Sequence, residues 1–158
     1  MQTQNICHDV LVELRKIMRA IDLHSKKLMQ SFGLTGPQMI ILKEIIKAER
    51  MPISLLAKNA SLSHATVTSI LDRLAKKEYV VRVRDVEDKR KIYVQASEQA
   101  KELISRAPAL LQENFIEEFI KLEDWEQSLL LSSLQRIASM MNAKKIDASP
   151  ILINHDIE

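Results

Sequence analysis

A chain of 158 residues with 46% apolar and 28% charged side chains can bury one core, and two glycines leave little room for Gly-rich phosphate loops. Its few aromatics (Phe32, Tyr79, Tyr93, Phe115, Phe119 and Trp125) argue against an RNA-type stacking platform, and a single cysteine, Cys7, excludes an intramolecular disulfide framework. Net charge is only +2, which by itself implies no polyanionic partner.

The start, MQTQNICHDV, has neither the charged nor the apolar segment of a signal peptide. No run approaches the ~18 apolar residues of a membrane span. The cytoplasm is therefore the expected compartment, with no membrane partner. Residues 6 to 31 read as one long helix. Val10, Leu14, Ile17, Ile21, His24 and Leu28 alternate steps of four and three, the seam of a short coiled coil, and Ile6 extends it backward. So narrow a stripe packs on another helix more readily than around a domain core, and that helix can belong to a second subunit. His24 on the seam reads first as a structural or interface histidine and second as a ligand-sensing one.

Thr35 and Gln38 have the spacing of a capping box with Pro37 in the first turn. Met39, Leu42, Ile45 and Ile46 then recur at helical spacing, so the second helix is predicted over 36–49. After it, ISL reads as a short strand, with Ser54 capping a brief helix LLAKNA. Ser63 caps the next helix, whose Val67, Ile70, Leu71 and Leu74 fall on one face. The opposite face collects Ala65, Ser69, Asp72 and Lys76, flanked by Thr66, Thr68 and Arg73. It is small and polar at its N-terminal end and basic further on, which permits close approach to a surface. Asp72 is expected to pair locally with Lys76 at i+4.

YVVRVRD and KIYVQAS are alternating β-branched runs joined by the charged turn VEDKR, a hairpin pattern. Two helices joined by a short turn and followed by a hairpin describe a winged helix-turn-helix. Its charged tip, with Arg84, Asp88, Lys89, Arg90 and Lys91, then lies where a wing meets a DNA backbone. Asp88 is placed to hold the guanidinium of Arg90, leaving Lys89 and Arg90 to enter a minor groove or pair with phosphate. The plainer alternative is a solvated turn. From Ser97 a long helix is predicted through Phe115 and Phe119, kinked or locally disturbed at Pro108. A last helix runs from about 123 to 141, with Trp125, Leu130, Leu134, Ile137 and Met141, and residues 143–158 form a tail. Charge follows these elements. Residues 54–96 hold nine bases against five acids, a surplus of +4, whereas residues 97–126 hold three against eight, −5. One face suits a polyanion and another repels it. The expected fold class is mainly α with a small β wing, in a single domain spanning 1–158.

The stretch LSHATVTSILDRLAKKEYVVRVRDVEDKRKIYV, in this order of elements, resembles the MarR family of winged-helix transcriptional regulators. The resemblance covers essentially the whole chain. It implies a winged helix-turn-helix over 34–97, flanked by dimerisation helices at 1–33 and 98–142. It further implies a homodimer on pseudopalindromic double-stranded operator DNA, with one recognition helix per major groove and one wing per minor groove. Carried over by position, Ser63, His64, Ala65, Thr66, Thr68, Ser69 and Arg73 are the recognition-helix contacts, and Arg90 with Asp88 is the wing device. Many members have Arg where Ser69 stands, so base preference is not transferable. Members are mostly repressors released by a small ligand or an oxidant. The family's ligand pocket would here be lined by His24, Leu28, Phe32, Met39, Phe115 and Phe119. LRKIMRAIDLHSKKLMQSFGLTGPQ resembles a branch that includes regulators of compatible-solute (ectoine) synthesis. That implies an osmolyte effector such as a quaternary ammonium, held by Phe115, Phe119 and Trp125 through cation–π contact. The competing reading of those three rings is plain core.

Two other functions stay open. Cys7 beside His8 suggests a redox-sensing regulator, although Asp9 opposes a lowered thiol pKa. A DNA-independent helical interaction protein leaves the basic hairpin unexplained. His8, His24, His64 and His155 form no metal-ligand spacing, so no metal is expected. No phosphate loop, HExxH or nucleophile elbow is present, which argues against an enzyme and against a cofactor. Glu117 with Glu118 and Asp85 with Asp88 are carboxylate pairs on segments expected to be solvated.

Overall fold

The computed structural model describes residues 2–86, 88 and 91–152. Among the described residues, seven helices and three strands follow in chain order: α1 Gln2–Phe32, α2 Gly36–Ala48, β1 Met51–Pro52, α3 Ile53–Asn59, α4 His64–Lys76, β2 Val80–Arg84, β3 Ile92–Ala96, α5 Glu98–Ser105, α6 Leu111–Phe119 and α7 Asp124–Met140. The described residues fold as two compact units, the second spanning Ala109–Ile151 and the first the remainder.

In the first unit, α1 ends at Gly33, whose φ of +63° suits a residue without a Cβ and whose N–H donates to the Met29 carbonyl at 2.9 Å. The predicted capping box is formed: Thr35 Oγ1 accepts from the Gln38 N–H and Gln38 Oε1 from the Thr35 N–H, at 3.4 and 3.1 Å. The sheet has the order β1-β3-β2, all antiparallel, with Met51 opposite Val94 and Arg82 also opposite Val94 on the other side. Leu28, Leu34, Met39, Ile41, Leu42, Ile45, Leu56, Val67, Leu71, Leu74 and Val94 are all but fully buried and make the core. Each such aliphatic side chain contributes about 1.5–3 kcal/mol. Within that core α4 is fixed along one face, so its other face is set by elimination.

Two details differ from the expectations. The short strand is Met51–Pro52 rather than ISL, and α3 begins at Ile53 with Pro52, not Ser54, at the N-cap. Pro52 has the extended φ and ψ of −73° and 148°, and its pairing partner, Tyr93, lies far along the chain. The helix predicted from Ser97 to Phe119 is disturbed at Pro108 as expected, and to the point of breaking into α5 and α6. Proline lacks an N–H and pushes its predecessor out of the α region, so the helix stops before Ala107. It restarts where the Glu113 carboxylate accepts the Leu110 N–H at 2.7 Å.

The second unit comprises α6 and α7. Taken by itself it leaves Phe115, Ile116, Trp125, Leu130 and Leu134 exposed. Among the described residues no helix is long and apolar enough to cross a membrane.

Candidate nucleic-acid interface

α3 and α4 are joined by Ala60, Ser61, Leu62 and Ser63. Ser61 takes a left-handed φ of +54°, and the Leu62 N–H donates back to the Ala57 carbonyl at 3.1 Å. This closes the sharp turn of a helix-turn-helix. Ser63 then caps α4, its Oγ accepting from the Thr66 N–H at 3.1 Å and lying 2.7 Å from Thr66 Oγ1. Val67, Leu71 and Leu74, at 0% exposure, anchor the helix. His64, Ala65, Ser69, Asp72, Arg73 and Lys76 face outward, with Thr66 and Thr68 half-buried.

The hydroxyls on this face are not equivalent. Those of Ser63 and Thr66 are committed to the cap, and Thr68 Oγ1 donates to the His64 carbonyl at 2.9 Å. Ser69, one turn beyond Ala65, has no such commitment among the described residues. Its hydroxyl, the His64 ring, the Arg73 guanidinium and the Lys76 ammonium are thus groups of α4 open to an outside partner.

Asp72 does not pair with Lys76 as expected. Its Oδ1 accepts from Arg82 of β2 at 2.6 Å, in a pair with 37% and 53% exposed side chains. Packing of β2 beside α4 brings a strand arginine closer than the lysine on Asp72's own helix. The pair also takes one carboxylate out of play on the outward face. α4 ends as Glu78 turns left-handed at φ +60° and the Tyr79 N–H donates to the Leu74 carbonyl at 3.0 Å, which directs the chain into β2.

β2 and β3 form the hairpin, with Arg82, Arg84 and Lys91 exposed. At its turn the Asp85 N–H donates to the Lys91 carbonyl and the Lys91 N–H to the Asp88 carbonyl, at 3.0 and 2.8 Å. Asp85 Oδ1 accepts from the Asp88 N–H at 3.0 Å, and its Oδ2 lies 3.4 Å from the Arg50 guanidinium. The pair Asp85 and Asp88, expected on a solvated segment, is half-buried. Lys89 and Arg90 lie outside the described residues, and with them the suggested grip of Asp88 on Arg90. Arg50, Arg82 and Tyr93 were not among the sequence candidates. Arg82 had a signal, since it shares a strand face with Arg84, two residues on. Arg50 had none.

Of the suggested ligand-pocket residues, Leu28 and Met39 are core residues at 1% and 0% exposure. His24 and Phe32 are half-buried. His24 Nε2 and the adjacent Ser25 Oγ are shielded from solvent and have no hydrogen-bond partner among the described residues. Burial, and secondarily the Lys27 charge, holds the His24 pKa below its ordinary value. Phe115 and Phe119 belong to the second unit and stack on each other at 5.4 Å, which takes up one face of each ring. Cys7 is an exposed free thiol on α1. Among the described residues no group of three or more His, Cys, Asp or Glu side chains could hold a metal ion.

The family model described as "Transcriptional regulator SarA/Rot" matches residues 24–107, more than half of the chain and all of the helix-turn-helix and hairpin. The HTH-type transcriptional regulator SarZ of Staphylococcus epidermidis is 28% identical over 145 residues, 92% of this chain and 94% of its own. The HTH-type transcriptional regulator YsmB of Bacillus subtilis is 26% identical over 136 residues, 86% of this chain and 93% of its own. Among solved structures, a mutant MarR of Escherichia coli complexed with operator DNA superposes with a TM-score of 0.56 at 21% identity, covering 84% of this chain and 96% of MarR. That last likeness is one of fold: a MarR-type winged helix.

Proposed function

The chain belongs to the SarA/Rot family of transcriptional regulators, and from that premise we propose that it is a sequence-specific repressor that binds a pseudopalindromic operator as a homodimer. The observation that carries this reading is the division of α4. Its apolar face is locked into the core, while Ala65 and Ser69 leave the opposite face low enough to seat in a major groove. There the His64 ring and Ser69 hydroxyl meet base edges, and Arg73 and Lys76 meet phosphates. Ser63 at the helix N-terminus sits against a backbone phosphate. Arg84 and Lys91, with Lys89 and Arg90 of the same turn, follow the backbone into the minor groove. Residues 34–97 bind DNA, and residues 1–33 and 98–142 dimerise. Exposed Ile6, Val10 and Ile17 on α1, and exposed Trp125, Leu130 and Leu134 on α7, support a second copy.

Release by a small effector fits the shielded, unpartnered His24 and Ser25, which a polar ligand group can satisfy. An osmolyte is the effector class to screen first. The exposed Cys7 thiol favours a second mode of control, oxidation. Peroxide would then release DNA from the wild type and not from Cys7→Ser.

The test is selection of genomic fragments by the full chain, followed by footprinting. Two protected half-sites centred about one helical turn apart are expected. Fragments with no shared sequence, or none retained, would refute the proposal and favour a protein partner.

A further inference from the structure

Arg50 lies just beyond α2, far in sequence from the hairpin, yet it touches the hairpin twice. Its guanidinium carbon sits 4.1 Å from the centroid of the Tyr93 ring on β3. One nitrogen of the same group lies 3.4 Å from Asp85 Oδ2. Asp85 is the residue on which the turn closes: its other oxygen accepts the Asp88 N–H, and its own N–H donates to the Lys91 carbonyl. Tyr93 is in turn paired to Pro52 of β1, two residues beyond Arg50 in the chain. A flat, delocalised cation can lie on a ring and fork to a carboxylate at once, which an ammonium cannot do.

We propose that Arg50 is a positioning residue for the wing: by bracketing Tyr93 and Asp85 it fixes Asp85, and through it Asp88 and Lys91, and so the pose of the exposed Arg84 and Lys91 toward DNA. The inference rests on the reading that the wing contacts DNA. Both contacts are partly exposed, with 40% of the Arg50 side chain and 23% of that of Asp85 accessible. Each is therefore small beside the stability of the fold. Their place at the root of the turn makes them matter locally. Loss of the bracket leaves the core intact and lets Asp85, Asp88 and Lys91 shift, carrying the Arg84 and Lys91 side chains off positions that meet phosphates.

Arg50→Met keeps the apolar stem and removes the planar charge. In the free full-length protein, amide hydrogen exchange at Asp88 and Lys91 is expected to speed up about tenfold, with core amides and the melting temperature unchanged. Unchanged exchange at the turn would overturn the bracket, as would a uniform increase across the core. On operator DNA the variant is expected to bind about tenfold more weakly. In an Arg84→Ala/Lys91→Ala background the same substitution should cost less than twofold, because the groups it positions are gone. Full additivity would show that Arg50 contacts DNA itself and would overturn the positioning role. Wild-type protein that bound no DNA would sink the regulator reading instead, and the exchange rates alone would still decide whether Arg50 holds the turn.

Discussion

Ser63 joins the fold and the proposed DNA contact, and two substitutions separate them. Its Oγ accepts the Thr66 N–H at 3.1 Å, an N-cap on an exposed residue. Ser63→Ala removes that cap, at a cost of about 1 kcal/mol, or a fall in melting temperature of about 2–4 °C for a chain of this length. Ser63→Asp keeps a cap of equal quality and adds a negative charge at the positive end of the helix, so the fold should be as stable or slightly more so. If a phosphate sits about 5 Å from that position, the added charge costs about 1–3 kcal/mol between bulk-water and surface screening. Affinity then falls about five- to 150-fold per protomer. Thermal melting and fluorescence anisotropy on the same samples read the two effects independently. Wild-type operator affinity in Ser63→Asp would refute a phosphate at this position, and melting below Ser63→Ala would refute the cap.

Other outcomes follow from named contacts. A double-mutant cycle on Asp72 and Arg82 should give a coupling of about 0.2–1 kcal/mol, kept low by exposure; the same cycle on Asp72 and Lys76 should give none. His24 is held below its ordinary pKa by burial and by Lys27, so near and below pH 6.5 the unfolded chain binds a proton that the folded chain refuses. Stability should thus be complete above about pH 6.5, fall as pH drops through the window down to the folded-state pKa, and level off below it. His24→Leu should flatten that part of the curve, and identical curves for the two proteins would contradict the assignment. Leu134→Asp places a charge among the exposed apolar residues of α7. It should sediment as a monomer at micromolar concentration, with helix content unchanged and operator binding lost.

What the sequence disclosed was mostly local. The Thr35–Gln38 box, the Ser63 cap and the anchored face of α4 depend on residues three or four apart, and propensity with periodicity reads such relations directly. The hairpin was legible for the same reason. What escaped depends on chain segments meeting in space. β1 exists only because β3 lies beside it. Asp72 turned from Lys76 to Arg82 because β2 packs next to α4. Arg50 reaches Asp85, 35 residues on, and nothing near Arg50 in the sequence announces it. Pro108 marks the place of the break, but the apolar spacing of Ala100, Leu103, Ala107 and Leu110 continues through it and hides its extent. For the candidate site, the residues of α4 were nameable from sequence. Which of their hydroxyls remain open to a partner was not, because that depends on hydrogen bonds such as Thr68 to the His64 carbonyl.

The most direct test of a DNA-reading α4 and wing is the salt dependence of binding. Fluorescence anisotropy on DNA from upstream of the protein's own gene, with nonspecific competitor, would compare wild type, Arg73→Ala and Arg90→Ala. Tight binding that survives competitor is expected, with a steep slope of log K on log salt. Each variant should shed about 0.9 of that slope per lost phosphate contact, or about 1.8 per dimer. Weak binding on every fragment, with a slope that neither substitution changes, would contradict the account.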